Sequence, residues 1–454
     1  MSEKEYSRRK FLKNSTLTSL GVGLTTAVTP NLFAGYAKDA GTAAILGGQP
    51  VRTKGWPDWP MWDPETDEKR VIEVLRSGIW SRGKVVTEFE EKWAETIGSK
   101  RCLATTNGTY ALITALRSLN VGAGDEVLVP PYTFIATIDA ILMVGAMPVF
   151  VDTNPATFQI DADKLEEKIT SRTTTILPVH ILGLPADMGK IMTIALDNNL
   201  AVLEDACQAW LAEINNKKVG TFGDAGCFSF QNSKNIPIGE GGAIVSDNDE
   251  FMDRCFSFHN FGRPHGKIVG TVSGEYVILG SKCRTTEYQA AIGLAQLKRL
   301  EEQTKRREEN AKYLRAQIKD IPGILPYELS KNATRAVFHL FPFRYKKEEF
   351  HNLSRRKFLE ALDAEGIPCS GGYSPLNNMP YLKDAFQSKN FQKVYPKEML
   401  DFDGYVERNQ CPQNNQLCKE AVWFGQNMLL GSKSDMNDIA MAIEKVFNKA
   451  DKIN

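Results

Sequence analysis

The sequence is poor in anything that would build a metal centre or a disulfide framework. Its eight cysteines are scattered over 454 residues. No CxxC pair or Cys/His cluster has zinc spacing, and even Cys411 and Cys418 lack matching partners. Neither a metal nor a disulfide scaffold is expected. The five histidines are isolated. Charge of one sign is also missing: 55 lysines and arginines balance 55 aspartates and glutamates, so no global field draws the chain to nucleic acid or to an anionic membrane. No run of about 18 apolar residues is present to span a bilayer. The nucleotide motifs are absent as well. No GxGxxG opens a helix after a strand, no GxSxG elbow occurs, and "GRPHGK" (Gly262 to Lys267) is a residue short of a P-loop and is followed by Ile268.

What remains is a chain long enough for two packed domains, or for one large α/β domain with a smaller one, handling small molecules. The N-terminal "SRRKFLKNS" (Ser7 to Ser15) and the Thr/Gly-rich run Leu17 to Val28 have the twin-arginine arrangement, which exports proteins already folded. Cleavage after Ala37 is expected, the alternative being an ordinary basic start. From Thr105 onward, strand-like runs such as "DEVLVPPY", "MPVFVDT", "LAVLEDA", "GCFSFQ" and "GGAIVSD" alternate with the helical patterns "GTYALITALRSL", "IATIDAILMVG", "DADKLEEKI" and "GKIMTIALDNN". The alternation predicts an α/β fold with a mostly parallel sheet flanked by helices, and ligands at the carboxyl ends of its strands. A charged helix over Gln289 to Ile318 precedes a Pro/Gly boundary and a shorter α+β region. The expected division is a signal segment 1–37, a large α/β domain 38–318 and a small C-terminal domain 319–454. The stretch Gly47 to Asp63 is too rich in proline and tryptophan for regular structure, and is expected to wrap a neighbour or a site rim.

Three groups carry chemistry. Asp205 ends a predicted strand, with Gln208 one turn on; taken alone it reads as a helix cap rather than a ligand group. Lys234 sits in the turn after Ser229, closed by Gly239, Gly241 and Gly242, and a lysine desolvated in such a turn near other cations becomes an amine nucleophile. Asn107, Gly108 and Thr109 open a helix whose free amides suit an anion. Anion cradle, carboxylate and imine-forming lysine are together the requirements of pyridoxal phosphate.

In order along the chain, "TNGTYAL", "GAGDEVLVPPYTFIAT", "GAMPVFVDT", "PVHILGLPADM", "LEDACQA", "FSFQNSKNIPIGEGGAIV" and "RTTEYQAAIGLAQL" resemble the DegT/StrS-type sugar aminotransferases, pyridoxal-phosphate enzymes of fold type I. "GGQPVR", "WPDWP" and "CKEAVWFGQNMLLG" look most like the branch acting on scyllo-inosose and related keto-cyclitols. The resemblance implies that Lys234 is the Schiff-base lysine and proton carrier, that Asp205 pairs with the pyridinium nitrogen, and that Gln208 meets the 3-hydroxyl. It implies phosphate contacts from Ser229 and the Gly108 and Thr109 amides, and stacking by Phe134, whose other reading is core packing. "GSKCR" (Gly280 to Arg284) departs from the family's G-x-N-x-R: Lys282 stands where an asparagine would reach the neighbouring subunit's phosphate, and either replaces that contact or points away.

The implied activity is transfer of an amino group from glutamate or glutamine to a keto-sugar or keto-cyclitol by a homodimer with shared sites. The rivals are a sugar dehydratase, which would have histidine in place of Lys234, and an exported binding homologue without turnover. Trp80, His180, His259, Arg263 and Tyr373 are pocket candidates by analogy of position, with His180 equally readable as a satisfied structural histidine.

Overall fold

The computed structural model describes residues 41–266 and 275–454, so the twin-arginine stretch and the cleavage position after Ala37 lie outside the described residues. Residues 41–454 hold together as one compact unit. Strands β1 (Arg101–Thr105), β2 (Glu126–Val129), β3 (Met147–Phe150), β4 (Thr173–Ile176) and β5 (Ala201–Asp205) are followed by two short strands, β6 (Glu213–Ile214) and β7 (Lys217–Lys218). Then come β8 (Ala225–Ser229) and β9 (Gly242–Ser246). Seven of these form the central sheet, in the order β1-β9-β8-β5-β4-β2-β3. Strands β3, β2, β4, β5 and β8 run parallel, while β9 is antiparallel to both of its neighbours. The fold is the mostly parallel α/β arrangement that the alternating pattern predicts.

Both faces of the sheet are dry, which is why its strands read as continuous apolar runs. Val127, Val129, Cys227 and Ile244 belong to one hydrophobic cluster, whereas Leu128, Phe228, Ala243 and Val245 belong to another. That is the alternation a pleated strand imposes. On the second face, Trp93 of the helix Lys84–Ile97 packs edge-on against Phe228 and Phe230. Helices Gly108–Ser118, Ile135–Met143 and Met188–Asp197 form where the 3.6-residue period predicts them.

"DADKLEEKI" does not form the expected helix. It makes two 3₁₀ turns, Ala162–Lys164 and Glu166–Lys168. Local pairing overrides helical spacing here: Asp161 caps the first turn, Lys164 reaches Asp152 at 3.0 Å, and Leu165 is fully buried.

The long helix Glu287–Ile318 precedes a second sheet of β10 (Ile324–Pro326), β12 (Leu340–Tyr345) and β13 (Ala421–Gly425), while β11 (Ala333–Arg335) pairs with β6. The expected boundary at 318/319 falls at the end of that helix, inside the compact unit. No helix among the described residues is long and apolar enough to cross a membrane. Residues 47–62 contain no helix or strand. They run as a strap, with Trp56 Nε1 donating to the Gly366 carbonyl and Arg52 bonded to Asp435. Trp59 Nε1 donates to the Lys234 carbonyl at 3.2 Å, which puts the strap on the rim of the cavity described next.

Candidate active site

A cavity of about 790 Å³ opens at the carboxyl ends of β5 and β8. Asn107, Gly108, Thr109, Phe134, Asp205, Gln208, Ser229 and Lys234 all line it, so of the residues given a cofactor role by the resemblance only Lys282 is missing from it. Lys282 instead pairs its backbone with Asn260, away from the cavity lining.

Lys234 lies in a turn closed by its own amide on the Gln231 carbonyl, and Phe230 and Gly241 bond across the base of the loop. Burial holds its amine below the usual lysine value, while Cys207 and Asp205 oppose that shift. Desolvation, rather than the neighbouring cations expected from the sequence, is therefore what makes the amine nucleophilic. Its side chain reaches His339, with Nζ to Nε2 at 3.4 Å. His339 is buried, its Nδ1 has no partner, and its edge meets the Trp210 ring.

Asp205 ends β5 with its carboxylate 4% exposed, accepting from Thr137 Oγ1 at 2.8 Å and from the Cys207 amide at 3.1 Å. No cation among the described residues forms an ion pair with it. A buried carboxylate held by neutral donors alone is incomplete, and a protonated heterocyclic nitrogen would complete it. Gln208 accepts from the Leu182 amide and donates to Tyr373 Oη, each at 2.9 Å, which leaves one amide hydrogen for a ligand. Burial pushes the Tyr373 hydroxyl up to about 12, so it stays protonated.

The anion end is backbone. Asn107 caps the helix Gly108–Ser118 by accepting from the Tyr110 amide, and the Gly108 and Thr109 amides have no acceptor among the described residues. A Cβ on Gly108 would stand 2.8 Å from Cys207 Sγ and 2.9 Å from Ser229 Cβ, and one on Gly242 would stand 2.4 Å from the Asn107 carbonyl. Only glycine lets β9, Ser229 and the helix start come this close. Phe134 is half exposed at the rim, just before the helix Ile135–Met143. These residues fit pyridoxal phosphate: unpaired amides and Ser229 for the phosphate, a lone carboxylate for the ring nitrogen, and a desolvated amine for its carbonyl carbon.

Tyr373 also lines the cavity, whereas Trp80, His180, His259 and Arg263 do not. His180 is fully buried. It accepts from the Ala186 amide on Nδ1, so Nε2 carries the hydrogen donated to Glu204 at 2.9 Å. This is a structural pair, not a ligand-facing group. Burial first, then Arg82, lowers His259 to about 3.

The sequence reading missed Trp59, Thr137, His339 and Gln426, all of which line the cavity. A histidine opening an apolar strand in "FHLFPF" was the available signal for His339.

A family model described as the DegT/DnrJ/EryC1/StrS aminotransferase family matches residues 63–401. A putative L-glutamine:3-amino-2,3-dideoxy-scyllo-inosose aminotransferase from Micromonospora echinospora is 34% identical over 425 residues, covering 89% of this chain and 96% of its own. An L-glutamine:2-deoxy-scyllo-inosose aminotransferase from Streptomyces kanamyceticus is 34% identical over 418 residues, covering 89% and 96%. Among solved structures, 3-amino-5-hydroxybenzoic acid synthase aligns with a TM-score of 0.76 at 31% identity, over 88% of this chain and 100% of that one. NtdA from Bacillus subtilis, solved with bound cofactor PMP, aligns at 0.69 and 28%, over 85% and 82%.

Proposed function

The chain belongs to the DegT/DnrJ/EryC1/StrS aminotransferase family and is a pyridoxal-phosphate-dependent aminotransferase, and from that premise we propose that it carries an amino group from glutamine or glutamate to a keto-cyclitol or related keto-sugar. The observation that carries the reading is one cavity holding the desolvated Lys234 amine, the Asp205 carboxylate without a cation, and the unpaired Gly108 and Thr109 amides. The acceptor class is supported by the two relatives named for scyllo-inosose derivatives.

When bound, the cofactor supplies an electron sink for the bond next to the transferred nitrogen. The residues do the rest. Asp205, fixed by Thr137 and the Cys207 amide, would hold a proton on the ring nitrogen and so keep that sink effective. The Lys234 amine, its basicity lowered by burial, would take the proton from the donor's α-carbon and return it to the carbon on the other side of the transferred nitrogen. Ser229 with the Gly108 and Thr109 amides would anchor the phosphate, Gln208 would orient the ring through its free amide hydrogen, and Phe134 would pack against it. Trp59 of the strap narrows the mouth.

We assign a homodimer, supported by the exposed apolar side chains of Phe261, Tyr276, Val277 and Leu279 beside the Gly280 to Arg284 stretch. Lys282 would then contact the partner's phosphate site. Sedimentation velocity tests the dimer: a single monomer boundary at micromolar concentration would refute it. Export by the twin-arginine stretch is tested by replacing Arg8 and Arg9 with lysine, which should trap the protein in the cytoplasm. The function itself is tested by mixing the cofactor-loaded protein with a scyllo-inosose and, in separate reactions, glutamine and glutamate, and following amino-cyclitol formation. No product with either donor would reject it.

A further inference from the structure

Gln426 follows β13 in "FGQNMLLG" and lines the cavity, yet it is only 4% exposed. Behind it, midway along the helix Glu287–Ile318, Arg307 is fully buried. The Arg307 Nε and Nη2 atoms donate to Gln426 Oε1 at 3.0 and 2.6 Å. A guanidinium has no lone pair to offer, so the atom it faces must be the amide oxygen. The Gln426 NH₂ is thereby turned away from Arg307, and among the described residues no protein group accepts from it.

The charge behind that amide is uncompensated. Arg307 forms no ion pair with any carboxylate among the described residues, its Nη1 has no partner, and its nearest π-contact is the Trp59 ring at 5.0 Å. Burial alone lowers its pKa to about 9, the mark of a cation held where it is poorly solvated. A lone buried cation is costly unless something completes it. Its field reaches the cavity, since Arg307 and Lys234 together help keep His339 neutral. A cyclitol is uncharged, and its hydroxyls both donate and accept. A glutamine or glutamate donor brings a carboxylate, which only accepts.

We propose that Gln426, positioned and polarised by Arg307, receives a carboxylate of the amino donor and so sets specificity for amino-acid donors. The inference rests on the aminotransferase reading given above. Gln426 is the contacting residue and Arg307 the positioning residue.

The test uses cofactor-loaded protein, so that the phosphate site is filled, and compares glutarate with its neutral isostere glutaramide by calorimetry. Wild type should bind glutarate at least about tenfold more tightly than glutaramide. Gln426→Glu keeps the shape and gives Arg307 an anion, so the fold should persist, which its Tm checks. In that variant the glutarate Kd should rise at least about tenfold while glutaramide stays within about threefold, and KM for glutamine should rise without a change in KM for the keto acceptor. An unchanged glutarate Kd overturns the proposal, as does a shift confined to the acceptor KM. The two readings fail separately. Normal turnover with an unmoved donor KM in Gln426→Glu removes the carboxylate anchor and leaves the aminotransferase standing. A glutarate preference lost in Gln426→Glu, in a wild type that aminates no keto-cyclitol, supports the anchor and removes the acceptor assignment.

Discussion

Lys234 Nζ lies 3.4 Å from His339 Nε2, with His339 buried and Lys234 partly so at the cavity wall. Two bases at this distance cannot both hold a proton in a site of low polarity, and burial works against the charge on each. Burial is the largest cause of the depressed His339 pKa, followed by the charges of Lys234 and Arg307. The imidazole is thus fixed as a neutral neighbour that leaves the lysine as the group that exchanges protons.

The neutrality of His339 has a price in acid. The native state keeps it unprotonated well below the ordinary value of 6.5, while the unfolded chain titrates near that value. Below pH 6.5 the unfolded state therefore binds a proton that the native state refuses, and stability falls as pH falls; above 6.5 the contribution is fully retained. Urea unfolding of wild type and His339→Leu at pH 7 and pH 5 should show the variant losing less stability on acidification than wild type. Equal acid losses would mean that His339 is not held neutral.

Replacing Lys234 with alanine removes the amine from the cavity. The Lys234→Ala variant should lose the visible absorbance of lysine-linked cofactor and lose transamination by at least about 10²- to 10⁴-fold, the range typical of a missing proton-transfer group. Absorbance spectra and single-turnover rates with glutamine decide it. Wild-type rates would remove Lys234 from the mechanism.

Asp205→Asn keeps the Thr137 side of the site but no longer balances a protonated nitrogen. A hydrogen bond to a charged group contributes about 1.5–3 kcal/mol, so cofactor affinity should fall roughly ten- to a hundredfold. The variant's half-reaction should slow as well. Equilibrium dialysis measures the first and stopped-flow the second; unchanged affinity would show that Asp205 serves the fold alone.

The parts of the site that were legible in the sequence are those carried by local signals. Asp205 and Ser229 stand at strand ends, Asn107 to Thr109 open a helix, and Lys234 lies in a glycine-closed turn. Each is marked by a change of period or by turn chemistry within a few residues. Trp59, His339 and Gln426 carry no such mark, because long chain separations bring them to the cavity: Trp59 meets Lys234 from 175 residues away and His339 from 105. His180 shows the same limit in reverse. Its position after β4 looked ligand-facing, but whether a side chain there points outward or inward depends on Glu204, which the sequence does not place beside it. The source of the Lys234 shift was hidden for the same reason, since desolvation is a property of everything packed around the turn.

The His180 pair supplies the last prediction, one that separates architecture from chemistry. Glu204 is fully buried and accepts from the Gly220, Phe222 and Gly223 amides as well as from His180 Nε2. It thereby ties the loop before β8 to β5, the two strands whose ends carry Ser229 and Asp205. His180→Leu keeps most of the volume but removes one of four donors to a buried carboxylate, and it also leaves the Ala186 amide without its acceptor. Leaving such groups unsatisfied costs about 1–3 kcal/mol. Urea unfolding should report a loss of that size. The donor and acceptor KM values should stay put, because His180 does not line the cavity. A variant with wild-type stability and altered KM values would instead place His180 in contact with a substrate, and would mean that the imidazole leaves Glu204 during turnover.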